Sequence, residues 1–303
     1  MDNDTIKTLG MGWLRDLPDF RDYTPEHEKI KPLLKKINMV ASVAPAALSA
    51  SVDLRPWCSP IEDQRDLGSC TAQAGVGLIE FYQKKAYGTY TDASRLFLYK
   101  VTRNLLGWTG DTGAYLGTTM AALSLFGVPP EKYWPYITTK PGSVTPPKPD
   151  FDMEPPAFCY AFAQNYQSIE YFRLDPSGVT PAILLERIKT YLAGNMPSMF
   201  GFTVYKSYQT GGSTGHFPYP CPGEQAVGGH AVVAVGYDDA KKIKNPNCGK
   251  ETTGALLIRN SWGTTWGDKG YGWLPYEYVL KGQAVDWWTL LKQAYVDTKK
   301  FGL

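Results

Sequence analysis

Cys70 lies in the run Asp63 to Ala72, D-Q-R-D-L-G-S-C-T-A, where a Gly-Ser-Cys turn passes directly into an amphipathic stretch. The pattern predicts a helix that begins at the cysteine. At such a position the free N–H groups and the helix dipole favour an anion and lower a thiol's pKa. A thiolate is a strong nucleophile, yet a cysteine in a first helical turn is more often a small buried hydrophobe, so the position alone does not decide. The nucleophile also needs a base, and the chain has three histidines, His27, His216 and His230. His27 sits between Glu26 and Glu28 and reads as a surface residue. His216 lies in the glycine-rich loop G-G-S-T-G-H, which would hold it poorly. His230 opens the apolar strand G-G-H-A-V-V-A-V-G-Y, a firm mount of the kind catalysis requires, although a core histidine is the plainer reading of it alone. A third segment, Leu257 to Tyr271, L-I-R-N-S-W-G-T-T-W-G-D-K-G-Y, delivers Asn260 at the end of a strand. Its side-chain carbonyl could hold one imidazole nitrogen and leave the other facing a thiol, with Trp262 covering that bond.

The elements that must carry these residues divide along the chain. Apolar spacing from Ser69 predicts a helix ended by Gly88, then helices over Ser94 to Val101 and Ala114 to Phe126, the last stopped by Gly127. Ile137 to Phe158 has six prolines and no period, and reads as a crossover. The second half reads as strands at 160–174, 198–205, 231–237, 255–260 and 270–278. One helix interrupts them, with Thr180 as N-cap, Pro181 in its first turn and Gly194 past its end. The expected class is α+β, with a helical lobe first, a β lobe second and a ligand cleft between.

The three segments together resemble the papain-like cysteine peptidase family. Gln64, six residues before Cys70, His230 to Tyr237 (H-A-V-V-A-V-G-Y) and Asn260 to Tyr271 (N-S-W-G-T-T-W-G-D-K-G-Y) match its motifs residue by residue. Weaker matches at Val52 to Leu54, Ala114-Tyr115 and Thr180 to Pro197 extend the likeness over about residues 50 to 290. The resemblance implies a papain-like two-lobe fold and a cysteine-type endopeptidase. Cys70 would be the nucleophile, His230 the acid and base, Asn260 its orienter, and Gln64 an oxyanion donor. Trp262 would be a shield, Ala114 and Tyr115 would line the substrate ledge, and Gly229 would also bind substrate. A silent binding module on the same fold, or an acyl-transferase or isopeptidase using the same thioester, are the alternatives. The sequence departs from the family at Leu67, Asp111, Thr71 and Ala114. A family disulfide is missing at both of its ends, Leu67 and near Asp111.

The resemblance gives residues 1–47 a meaning. They precede the mature-like start, hold seven basic and seven acidic residues within positions 1 to 50, and carry one short amphipathic helix at Ile30 to Ile37. They read as a prosegment, of a short and atypical bacterial type, or as a permanent N-terminal arm. Residues 48–303 read as the peptidase domain, about 48–150 helical and 151–303 β. Met39 to Ser51 reads as a linker.

Composition narrows the partners. The 303 residues carry a net charge of +2 with no basic block, which argues against nucleic acid, and no apolar run is long enough to span a membrane. No metal or other cofactor is expected, since the histidines and cysteines lack ligand spacing. The expected partners are a peptide or protein substrate and the chain's own N-terminal segment, on a monomer. Five cysteines leave at least one unpaired, and Cys221 with Cys248 is an open candidate pair across the loops around His230. Those loops, 206–229 and 241–254, are also candidates to block one end of the cleft. A prosegment and disulfides favour secretion, whereas Met1 to Gly10 show no apolar leader.

Overall fold

The computed structural model describes residues 9–37, 39, 48–142, 150–211 and 213–293. Much of the expected linker and part of the proline-rich crossover lie outside these. The short helix α1 spans Lys31–Lys36 and follows the N-terminal arm. The long helix α2, Cys70–Tyr87, is buried without interruption from Cys70 to Phe81. Both its sides are covered because α3 (Arg95–Leu106) and α4 (Leu116–Leu125) pack on one and the sheet on the other. Gly88, at φ 69°, ends it in the left-handed conformation that glycine adopts without strain. Ser94 caps α3 by accepting from the Phe97 N–H, and α3 runs five residues beyond the expected Val101 to reach its own glycine stop at Gly107.

Several expectations need correction. The third helix begins at Leu116 rather than Ala114, because Ala114 pairs its backbone with the arm. The segment read as a strand from Tyr160 is first helix α5, Ala157–Ala163, and only Ser168–Arg173 (β2) is strand. Gly194 has φ −80° and it is Asn195, at φ 63°, that takes the left-handed turn after α6 (Pro181–Ala193).

The sheet is antiparallel throughout. It comprises β1 (Ser51–Asp53), β2, β3 (Ser198–Tyr205), β4 (Ala226–Lys244), β5 (Glu251–Arg259), β6 (Tyr271–Pro275) and β7 (Ala284–Gln293). The order is β2-β7-β3-β4-β5-β6, with β1 added beside β4. The expected strand over 270–278 ends at Pro275 and passes into the short helix α7, Glu277–Leu280. The register sets the site: Phe202 lies opposite His230, Thr203 opposite Gly229, and Val233 opposite Arg259. Cys221 and Cys248 form a disulfide that ties the loop before β4 to the turn after it.

Candidate active site

Cys70 is the first residue of α2, and His230 and Asn260 come from β4 and the end of β5. All three are buried. The His230 Nε2 lies 2.8 Å from the Asn260 Oδ1. An amide oxygen only accepts, so Nε2 carries the proton and Nδ1 of the neutral ring is a free acceptor. That Nδ1 is buried with no partner. Asn260 is itself held by the Ser261 N–H, which donates to the same Oδ1 at 2.8 Å. Trp262 stacks on the imidazole at 4.4 Å between centroids and 21° between planes, shielding the His230–Asn260 bond from water.

Gln64 is fixed by the same turn. The Ser261 hydroxyl donates to its Oε1 at 2.5 Å, and its own N–H donates to the Ser261 carbonyl at 2.8 Å. The Gln64 Nε2 is thereby turned inward, where it donates to the carbonyls of Leu67 at 2.9 Å and Gly10 at 3.1 Å. The site is braced where the two halves of the chain meet by Arg259. Its guanidinium donates to the Ser59 Oγ and the Pro60 carbonyl and lies over Gly77 of α2, where a Cβ would stand 2.7 Å from it. Glu80 faces it, and burial lifts that carboxyl to about 7 despite the guanidinium. At the departure from the family disulfide, Asp111 accepts from the Gly68 N–H at 2.9 Å and from the Tyr99 hydroxyl at 2.6 Å. A hydrogen-bonded carboxylate thus clamps the loop before Cys70, next to the place of Leu67.

The arm lies across this site. The Gly12 N–H is directed at the Cys70 Sγ, 3.3 Å away. The Ala114 N–H donates to the Gly12 carbonyl (2.8 Å), the Leu14 N–H to the Ala114 carbonyl (3.1 Å), and the Trp13 N–H to the Gly229 carbonyl (3.1 Å). Trp13 and Ala114 therefore pair as a parallel bridge. Upstream, the Trp262 indole donates to the Gly10 carbonyl at 3.2 Å, beside Gln64. Downstream, Arg173 donates to the Asp16 carbonyl and pairs with Asp22. Sealed in this way, Cys70 is pushed up to about 11 by burial, against the pull of the main-chain N–H groups of Ala231, Gly12, Thr71 and Trp13. Burial likewise pushes His230 down to about 4, with Asn260 opposing. At neutral pH the pair is a thiol and a neutral imidazole.

The arrangement of a helix-start cysteine, an amide-oriented histidine and an inward glutamine amide is one the comparisons explain. Residues 48–280 match the papain family cysteine protease profile. The chain belongs to that family. An uncharacterized peptidase C1-like protein of Acanthamoeba polyphaga mimivirus is 32% identical over 96% of this chain and 89% of its own. Cathepsin K of Gallus gallus is 30% identical over 76% of this chain and 59% of its own. Among solved structures, xylellain, a cysteine protease from Xylella fastidiosa, matches with a TM-score of 0.74 and 34% identity, covering 96% of this chain and 98% of that one. The chain is thus a cysteine-type peptidase with a papain-like fold.

Cys70, Gln64, Trp262, Ala114 and Gly229 each touch residues 10–14 of the arm, and His230 joins Trp262 and Asn260. Tyr115 is the most peripheral: it precedes α4 and packs its ring against Trp108 at 5.5 Å. Sequence reasoning gave no role to Ser261, Arg259 or Asp111, although Ser261 lies inside the N-S-W-G motif, Arg259 adjoins it and Asp111 stands near the place of the missing family cysteine. Among the described residues no cluster of His, Cys, Asp and Glu could hold a metal, and no helix is long and apolar enough to cross a membrane.

Proposed function

We propose that the chain is the precursor of a peptidase in which Cys70 is the nucleophile and residues 9–23 are the inhibitory part of a prosegment spanning 1–47. The observation that carries this is the contact of the Gly12 N–H with the Cys70 sulfur. Attack needs a carbonyl carbon over the sulfur, with its oxygen toward the Gln64 amide. Here the Gly10 carbonyl accepts from the Gln64 amide while the N–H of Gly12 faces the sulfur, so the arm fills the cleft as a peptide with an amide N–H directed at the nucleophile.

Once the arm leaves, water reaches the pair, and His230 Nδ1 can take the Cys70 proton to give thiolate and imidazolium. The thiolate forms a C–S bond to a substrate carbonyl carbon, and the oxygen gains negative charge toward the Gln64 amide and the Cys70 N–H. His230 returns the proton to the leaving amine as the C–N bond breaks, leaving a thioester. It then takes a proton from water, whose oxygen attacks the thioester and releases the acid and the thiol. Asn260 keeps the ring in the tautomer this sequence needs.

The test is labelling with a peptidyl epoxide, read by intact and peptide mass. It compares full-length protein, protein cut within residues 39–51, and a Cys70→Ala control. Labelling of Cys70 after cutting, and far slower labelling before it, is the expected result. Equal labelling of both forms would remove the precursor reading, and none in either would remove the activated thiol.

A further inference from the structure

We propose that the pocket filled by Trp13 is a specificity pocket of the opened enzyme for a substrate tryptophan, with Asp286 accepting its indole N–H. The inference rests on the peptidase reading above. The pocket opens beside the ledge: Ala114 and Gly229 hold the backbone of residues 12–14, so a peptide lying on these atoms drops a side chain where Trp13 now sits. Its walls are cut for a flat bicyclic ring. A Cβ on Gly201 would lie 1.8 to 2.2 Å from the indole atoms Cε2, Cδ2 and Nε1, and one on Gly229 would lie 2.9 Å from Cε3.

The far edge of the pocket is polar. The Trp13 Nε1–H donates to the Asp286 Oδ2 at 3.0 Å, and the Trp288 Nε1–H donates to Oδ1 at 2.7 Å. Asp286 is fully buried and stands at φ 62°, a backbone conformation rarely kept by a non-glycine residue without a reason. Its backbone N–H is tied to Asp175, and Arg173 reaches both carboxyl groups, at 3.5 Å and 3.0 Å. The carboxyl is therefore aimed and cannot swing away. When the arm leaves, Oδ2 loses its donor. A ring that displaces water from Oδ2 without donating to it leaves a buried acceptor unpaired, so a side chain with an apolar ring and a donor at its edge is favoured over one without the donor. Arg173 packs over the Trp288 ring and is shared among Asp22, Asp175 and Asp286, so a substrate guanidinium or ammonium is the competing occupant.

The test uses the full chain with Gly12→Val, which prevents the arm from seating, and a peptide library sequenced at the cut sites. The expected result is enrichment of Trp at one fixed position, with kcat/KM at least about tenfold above the matched Phe peptide. In Asp286→Ala that ratio should fall to near one, and Asp286→Asn, which tolerates the backbone angle, should also lose most of it, because its one acceptor oxygen stays with Trp288 and Arg173 and its amide N–H2 then faces the indole donor. The ratio is taken within each variant, so a general loss of activity does not imitate the effect. Enrichment of Arg or Lys, or a preference for Phe or Leu that Asp286→Ala leaves unchanged, overturns the inference and leaves the peptidase reading standing. Cutting of no peptide, with Cys70 still labelled by the epoxide, overturns both.

Discussion

Gly12→Val in the full-length chain should open the site without any cut. A Cβ at Gly12 would stand 1.8 Å from the Gly68 carbonyl oxygen, 2.4 Å from its carbon and 2.6 Å from its Cα. All three are backbone atoms of the loop that Asp111 clamps, so no side chain can turn aside to make room. Gly12 is not in the left-handed region, so the effect is steric. Overpacking of this kind typically costs about 1–3 kcal/mol, and more against fixed backbone, which raises the open-to-closed ratio roughly 5- to 150-fold. The seated arm is lost as a unit, because Gly12 both donates to Cys70 and accepts from Ala114. The assay is the pseudo-first-order rate of Cys70 labelling by a peptidyl epoxide, with melting temperature and far-UV circular dichroism as folding controls. A rate within twofold of the unmodified chain, on a protein that melts normally, would refute the claim that residues 10–14 block the thiol.

Other perturbations read other parts of the structure. Burial, opposed by Arg173, raises the Asp286 carboxyl to about 7 in the closed form, and hydration on opening should lower it. Opening then releases a proton between about pH 4 and 7, so raising pH through this window should increase the labelling rate of the full chain relative to Gly12→Val, by less than tenfold per unit. A ratio that rises as pH falls would contradict that sign. Asn260→Ala removes the acceptor that sets the His230 tautomer, and should lower kcat of the opened enzyme roughly tenfold to a hundredfold with little change in KM. Equal falls in kcat and in substrate affinity would point to a merely structural role. Reducing Cys221–Cys248, which are 27 residues apart, should lower stability by about 3.5 kcal/mol on the loop-closure relation and the melting temperature by several degrees. An unchanged melt would show that the hydrogen bonds of Glu224 to Ser207, Cys221 and Asn245 hold these loops unaided.

The residues legible in the sequence are those whose role is carried by near neighbours. Cys70 follows a turn into a helix, His230 opens an apolar strand and Asn260 closes one, and local pattern is enough to place each. What escaped depends on residues that meet only in the fold. Arg173 and Asp286, together with Trp13 and Asp22 of the arm, come from three distant stretches, and no spacing announces them. Ala114 has good helix propensity and sits before a helical run, yet it is extended because Gly12 and Leu14, a hundred residues upstream, take its backbone hydrogen bonds. Phe162 and Tyr166, in the expected strand, and Phe158, at the end of the expected crossover, mislead in the opposite way. Their β-favouring type suggests a strand, whereas their spacing of four is helical, and their rings do follow one another at 5.6 and 6.1 Å along one face.

On the precursor reading proposed above, the closed form stores the chemistry in an uncharged state as well as behind a barrier. Between the lowered His230 value and the raised Cys70 value, sulfur and imidazole are both neutral, so the arm has no ion pair to bury. Burying a thiolate and an imidazolium under Trp13 and Gly12 would carry the desolvation penalty of two charges, and a neutral pair avoids it. Moving the proton from sulfur to nitrogen as water enters leaves the net charge unchanged, so the pair itself makes opening neither acid- nor base-driven. That leaves the arm's own anchors to set the balance: the backbone bonds of residues 10–14, and the Trp13 indole on Asp286. The anchor that reports pH is thereby separated from the groups that do chemistry, since Asp286 sits at the far edge of the Trp13 pocket and the thiol beneath Gly12. A substitution at Asp286 should therefore change when the site opens and which side chain it accepts, while the proton transfer between Cys70 and His230 stays as the helix start and Asn260 set it.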